Sequence, residues 1–317
     1  MKPGQRSHQS GAAILVAMLT VTLVASLSAA ALWQQWRGTE VESAERARQQ
    51  SAWILQGALD WARLILREDA RSGGVDHLGE PWAVGLEEAR LSSFLAARGS
   101  TVDDPALELF LSGRMTDLQS RLNVRNLVHD DKIHPPTLNA FAVLFDNLQL
   151  PRQELAVLAN NLVAALGTSA QAPLMPGKLD QLTWLGLSPQ SLERLRPYVT
   201  LLPERTPVNI NTASALVLHA SAAGLSMADA QGMVQMRNRA HFTSVAQALE
   251  QLRQKPKGLT DAEHGVGSRF FEAKARLRSG TSALQEQAVL QRDGQTLTVL
   301  WRERSAAVAS SSGSSLQ

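Results

Sequence analysis

An uncharged apolar run from Ala12 to Trp33 lies just inside the N-terminus and constrains everything after it. At about 1.5 Å per residue, a helix of that length crosses a hydrocarbon core of about 30 Å. Lys2 and Arg6 precede it in a short polar leader that ends at Gly11, and Trp33 and Trp36 stand at the far end. Positive charge retained on the cytoplasmic side and aromatic rings at the opposite interface orient such a helix. The bulk of the chain is therefore expected across the membrane. Thr20, Thr22, Ser26 and Ser28 interrupt the run only mildly, because a helix satisfies their hydroxyls with its own carbonyls.

Gly11 stands at the polar-to-apolar junction. A secretory signal peptide is cut beyond its apolar stretch, and Ala29, Ala30 and Ala31 offer small residues for that alternative. A cut between Gly11 and Ala12 instead leaves the apolar helix on the mature protein, as in a prepilin-type leader. The prepilin pattern has Glu at the fifth mature residue; counted from Ala12, that residue is Val16. The helical pattern continues past the membrane. Ala44, Ala47, Ile54, Ala58, Ala62 and Ile65 recur at spacings of three, four or seven, with Glu42, Glu45, Arg46 and Arg48 on other faces. This predicts a helix from Ala12 to about Arg67, bent near Gly38, half in lipid and half supporting a globular head. A separate helix after Gly38 is the other reading of the same spacing.

Composition narrows the function. Lys and Arg number 31 against 29 Asp and Glu, a net charge of +2, which argues against a broad surface for nucleic acid. Cysteine is absent, which excludes disulfides, thiolate metal sites and cysteine nucleophiles. No H-E-x-x-H, G-x-S-x-G or Gly-rich phosphate loop occurs. The densest titratable group is His129, Asp130, Asp131 and His134, just before Pro135-Pro136. It reads either as a metal loop or as a solvated connector. The pairs Glu68–Asp69 and Asp103–Asp104 read as exposed charges near element ends. No catalytic apparatus is visible, and no enzyme is expected.

The remaining pattern is α+β. Strand pieces are expected at Thr101–Leu111 and Arg114–Leu122 around a turn at Ser112–Gly113. Helices follow between Pro136 and Tyr198, broken at Pro151, Gly167–Gly177 and Ser188–Pro189. Three short helices come next: one from Ala213 to about Ala222 capped by Asn211 or Thr212, and two opened by the capping-box pairs Ser226/Asp229 and Ser244/Gln247. Arg269–Leu277, Glu286–Arg292 and Thr296–Arg302 read as strands, the last two joined at Asp293-Gly294. Ser305–Gln317 reads as a disordered tail.

Three stretches together resemble the type II secretion minor pseudopilin K family. They are SGAAILVAMLT (Ser10–Thr20), VDHLGEPWAV (Val75–Val84) with TDLQSRLNVRNLV (Thr116–Val128), and RPYVTLLPERTPVNINTASALVL (Arg196–Leu218). Ser120, Leu122 and Arg125 depart from the family's D-L-Q-G-R-F-N-L-N-N-L element. The resemblance implies a pilin-like fold: a long N-terminal helix on a small antiparallel sheet, interrupted by a large all-α domain with two SAM-like or helix-hairpin-helix-like subdomains. On that basis the expected segments are a leader (1–11), a transmembrane part (12–33) and a pilin-like part (34–125). Two helical subdomains (126–206 and 207–265), closing strands (266–304) and a tail (305–317) follow. The resemblance also implies cleavage by prepilin peptidase between Gly11 and Ala12, N-methylation of Ala12, a single pass through the inner membrane and a periplasmic bulk. The minor pseudopilins I and J are the implied partners, with no nucleic acid, and the implied place is the tip of a pseudopilus that supports export of folded exoproteins. Some members bind calcium, but the family's G-A-E-D-x-x-Y stretch is missing from Ala165–Gln181, so no cofactor is expected. The rival is a membrane-anchored competence-type DNA receptor, because Val208–Leu218 also resembles a helix-hairpin-helix entry. Its turn, Ala222–Ala230, holds one Gly and an Asp, with Arg237 and Arg239 as the nearby positive charges.

Overall fold

The structure is a computed structural model that describes residues 10–96, 108–167 and 172–308. Lys2, Arg6, Asp103 and Asp104 lie outside the described residues. Helix α1 (Ser10–Ser72) is one element and passes Gly38 without a break. The chain divides into two units between residues 54 and 55.

The first unit is the apolar part of α1 and the turns that follow it. Ile14, Leu15, Val16, Met18 and Leu19 are all exposed. Thr20 and Thr22 return their hydroxyls to the carbonyls of Ala17 and Met18 at 2.8 and 2.9 Å, so neither leaves a donor unmet. Among the described residues, α1 is the one helix long and apolar enough to cross a membrane. Beyond Arg37 the surface becomes polar, with Arg46 on Glu42 and Arg48 on Glu45 about one turn away. Such exposed pairs add only a few tenths of a kcal/mol each.

The second unit opens with the last turns of α1. Leu55, Leu59, Ala62 and Leu66 are buried, and their spacing of four, three and four places them on one face. The stripe predicted through Ile54, Ala58 and Ile65 is one residue out of phase, and those side chains are half-buried flanks. The larger leucines take the core face because they remove more apolar surface from water. That face meets Trp82, Phe271, Ala273, Ala288 and Leu290.

After α1, a turn at Pro81–Ala83 buries Trp82. Strand β1 (Leu86–Arg90), helix α2 (Leu91–Ala96) and strand β2 (Leu109–Asp117) follow. The chain then leaves the sheet for residues 118–269. It carries, in order, β3 (Leu122–Asn123), β4 (Val128–His129), β5 (Lys132–Ile133), α3 (Pro135–Asn147), α4 (Arg152–Leu166), α5 (Pro189–Leu195), β6 (Val199–Thr200), β7 (Val208–Asn209), α6 (Ala215–Ser221), α7 (Met227–Arg239), α8 (Val245–Gln251) and β8 (His264–Gly265). It returns as β9 (Phe270–Ser279), β10 (Ser282–Asp293) and β11 (Thr296–Val308). The sheet order is β1-β2-β9-β10-β11, antiparallel throughout, so the insert springs from two neighbouring strands. This is the α+β architecture expected from the sequence, with helices interrupting a sheet backed by a long helix.

Several local expectations change. β2 runs straight through Ser112–Gly113, where a turn is predicted, because Gly113 is paired on one side with Ala275 and on the other with Leu86. Two flanking strands override the turn preference of a single glycine. The Asp293-Gly294 hairpin forms, with Gly294 at φ 58°. β11 continues to Val308, so Ser305 lies within a strand; residues 309–317 are outside the described residues. Helix α6 is capped by Ser214, not by Asn211 or Thr212. Ser226 and Ser244 do cap α7 and α8.

The insert has one continuous apolar core, from Leu122 through Phe141, Phe145 and Leu158 to Val217, Met233 and Phe242. The two groups of helices therefore share an interior. The core of the sheet, around Leu59 and Phe271, is separate. Leu59→Ala is expected to cost about 2–5 kcal/mol in urea unfolding, whereas Leu64→Ala, on the exposed side of α1, changes stability by about 0.5 kcal/mol or less.

Candidate functional site

Two places carry the features that bear on function: the start of α1 and a polar seam where the insert joins the sheet. Gly11 lies in the first turn of α1, with Ala12 next and Val16 one turn on. Val16 is 59% exposed among other apolar side chains, and no carboxylate occurs between Ala12 and Trp36. This stretch can bury itself in lipid or against other apolar helices, and it brings no charge with it.

The seam is built around Asp117, at the end of β2. Its Oδ1 accepts from the Gln119 amide at 2.7 Å, and its Oδ2 accepts from Thr212 Oγ1 at 2.5 Å, Ser268 Oγ at 2.6 Å and Asn209 Nδ2 at 3.1 Å. These donors come from the turn just after β2, from β7, from the approach to α6 and from a residue two positions before the strand that returns to the sheet. Asp117 is 2% exposed. Burial pushes its carboxyl up to about 6, outweighing the bonds from Ser268, Thr212 and the Gln119 amide that favour the charged form. This explains why Thr212 does not cap α6: its hydroxyl is committed to Asp117. Asn211 is diverted likewise, donating to the Phe242 carbonyl and accepting the Phe242 amide, each at 2.9 Å.

Two asparagines extend the seam. Asn123 Nδ2 donates to the Glu204 carbonyl at 2.7 Å while its Oδ1 accepts the Leu202 amide at 3.1 Å. Asn126 donates to the Thr206 carbonyl at 2.7 Å and accepts its amide at 3.1 Å. Gln119 donates to the Pro207 carbonyl at 3.1 Å and accepts the Arg269 amide at 2.6 Å. The stretches Thr116–Val128 and Arg196–Leu218, far apart in sequence, are thus bonded to each other. Proline-rich backbone makes few hydrogen bonds of its own, and these side chains supply them. Sequence reasoning reached both stretches but not their pairing. The signal available was the recurrence of Asn at 123, 126, 209 and 211 within apolar surroundings.

Asp76 adds a charged corner. Its Oδ2 accepts the Ser268 amide at 2.6 Å, and Arg292 bridges it to Asp69 through contacts of 2.5 and 2.6 Å. Asp69, Asp76 and Glu80 are the carboxylates that converge among the described residues, and the guanidinium of Arg292 already serves two of them. Glu80 accepts the His77 amide and Trp82 Nε1; burial pushes its carboxyl up to about 7.

The sequence-derived cluster at His129–His134 comes together only in part among the described residues: His129 Nε2 lies 3.7 Å from Asp130, and its ring meets that of His134 edge-on at 5.8 Å. Asp130 and Asp131, at φ 49° and 56°, form a two-residue hairpin turn between β4 and β5, while His134 faces Glu263 at 3.8 Å. The described residues of the 165–181 segment supply one carboxylate, Asp180, which is bonded to Arg196 at 2.5 Å. The α6–α7 turn is a poor phosphate cradle. Arg237 is buried and donates to the Ile210 carbonyl at 2.7 Å, and burial lowers its pKa to about 10.

The raised pKa of Asp117 has a measurable sign. The folded head holds this proton more tightly than an ordinary carboxylate at 3.8, so the contribution of the group to stability is greatest below about pH 4. It declines as pH rises toward 6 and is flat above. Asp117→Asn removes that slope. In urea unfolding of the full chain in detergent, the stability of the native protein relative to the variant is expected to be larger at pH 4 than at pH 6. An unchanged difference would contradict the assignment.

Two family models described as type II secretion system protein K match the chain, one over residues 120–204 and one over 208–267. Between them they span most of the insert, including Asn123, Asn126, Asn209 and Thr212 of the seam but not Asp117 itself. The type II secretion system protein K of Pseudomonas aeruginosa is 27% identical over 303 residues, covering 87% of this chain and 86% of that protein. The protein K of Pectobacterium carotovorum subsp. carotovorum is 26% identical over 339 residues, covering 94% and 97%. A chain in the crystal structure of the GspK-GspI-GspJ complex from enterotoxigenic Escherichia coli has the same fold. Its TM-score is 0.65 at 19% identity, over 83% of this chain and 99% of that one. The long apolar helix, the interrupted antiparallel sheet, the two family matches and the two protein K relatives together support the type II secretion system protein K family for this chain.

Proposed function

We propose that this protein is the minor pseudopilin at the tip of a periplasmic pseudopilus, where it initiates assembly and supports export of folded proteins across the outer membrane. The observation that carries the reading is Val16. Prepilin peptidase would cut between Gly11 and Ala12, freeing an α-amino group at Ala12 that is then N-methylated. In a fibre whose apolar helices pack together, an uncompensated charge is costly. A carboxylate at the fifth position of an incoming subunit neutralises the amine of the subunit above it. With Val16 in that position, this chain offers no carboxylate upward and needs no subunit there. The insert of residues 118–269 adds bulk to the head that a subunit stacked above would have to accommodate. A first subunit has those properties.

The apolar helix serves as a single-pass anchor in the inner membrane, with the head in the periplasm. The fold shared with a chain of the GspK-GspI-GspJ complex supports minor pseudopilins I and J as the partners. The contribution of this chain is assembly and not catalysis, and calcium has no part in the proposal. DNA reception is disfavoured by the buried, committed Arg237.

Deleting the gene is expected to abolish pseudopilus filaments in a strain that otherwise assembles them, with secretion falling accordingly. Val16→Glu should leave assembly intact or mildly reduced, since that side chain enters an apolar site without a partner amine above. Normal filaments without the protein would refute the initiator role.

A further inference from the structure

β11 is the edge of the sheet, and among the described residues no further strand pairs with its outer side. Edge strands of this length are usually blunted by charge or covered, because their free N–H and C=O groups recruit other chains. Here the charges of β11 are spent elsewhere. Arg302 and Arg304 both turn to the buried Glu286, and Arg302 also contacts Gln56. Glu303 is held by Lys178 at 2.7 Å. What remains is the apolar run Val299–Leu300–Trp301, with Val299 and Leu300 exposed. The β10–β11 register shifts there, from Val289↔Trp301 to Leu290↔Val299, so Leu300 bulges from the ladder.

Beside this run, between the sheet and the insert, lies a groove of about 490 Å³. Met175 and Leu202 form its insert side, Val289, Leu300 and Trp301 its sheet side, and Arg125 is its one charged residue. Nη1 of Arg125 is buried and has no acceptor among the described residues. A buried guanidinium nitrogen without an acceptor is costly, and a carboxylate is the group that best repairs it. The groove shares Val289 and Trp301 with a second hollow of about 320 Å³.

We propose that the β11 edge and this groove form a docking site for an extended segment of another polypeptide. The segment adds as a sixth strand and projects alternate side chains into the groove, one of them an Asp or Glu that meets Arg125. Main-chain pairing supplies affinity, and the acidic side chain sets register and choice of partner. The site is separate from the apolar helix, and the test below does not depend on where the protein sits in a filament.

The probe is an array of decapeptides with amidated C-termini, apolar at alternate positions and carrying a central Glu, beside the same array with Gln. The full chain in detergent micelles is expected to bind the Glu array about tenfold more tightly, the scale of one charge-assisted hydrogen bond. Arg125→Gln should remove that discrimination while leaving the circular dichroism unchanged. Should that variant be destabilised, Leu300→Asp, on the exposed edge, keeps the test open, because it should weaken binding of both arrays. Equal binding of both arrays, discrimination that survives Arg125→Gln, or no binding at all would overturn the proposal. So would Gln peptides that gain affinity only with a free C-terminus, which would point to a chain end. Self-association of the protein that is lost in Leu300→Asp would point instead to a second copy of this chain and would also overturn it.

Discussion

A carboxylate buried without a cation against it holds the head together. Asp117 ends the strand that leaves the sheet, and it gathers donors from both ends and the middle of the insert: Gln119, Asn209, Thr212 and Ser268. A charge-assisted hydrogen bond contributes about 1.5–3 kcal/mol, while stripping water from an ion costs several kcal/mol. The two effects nearly balance, and burial prevails, which is why the carboxyl titrates near 6. The seam is therefore a device of position more than of net stability. It specifies how a helical insert of some 150 residues, 118–269, rejoins a sheet whose strands β2 and β9 must remain neighbours.

That arrangement separates two tasks along the chain. The apolar start of α1 carries no charge and presents aliphatic side chains all round, as suits lipid or a packed fibre core. The last turns of the same helix bury Leu55, Leu59, Ala62 and Leu66 under a sheet, in an ordinary soluble core. The insert then has an interior of its own, so changes in its loops need not disturb the sheet. The outer side of β11, which pairs with no further strand among the described residues, and the buried Nη1 of Arg125, which has no acceptor among them, lie where sheet and insert meet, the junction at which the docking of another chain is proposed.

Much of this was legible in the sequence, and what was not has physical reasons. The uncharged run, the Asp293-Gly294 hairpin and the caps at Ser226 and Ser244 are local signals, and each forms as read. The turn expected at Gly113 and the cap expected at Thr212 failed because distant partners claimed those residues: strands on both sides of Gly113, and Asp117 for Thr212. The core phase of α1 was misread by one residue because alanines and leucines alternate there with similar periods. The node itself was invisible, since nothing local marks Asp117 as buried, or Asp76 and Arg292 as partners 216 residues apart. Val16 was legible from position alone, and its meaning rests on which residue the mature chain begins with.

That starting residue is the hinge of the account. Intact-mass and N-terminal sequencing of the protein purified from the inner membrane of its host tests it most directly. The account predicts a first residue of Ala12 carrying one methyl group, with the apolar helix retained. A first residue near Leu32 would mean that the helix is discarded as a signal peptide, and it would contradict both the anchor and the role of Val16.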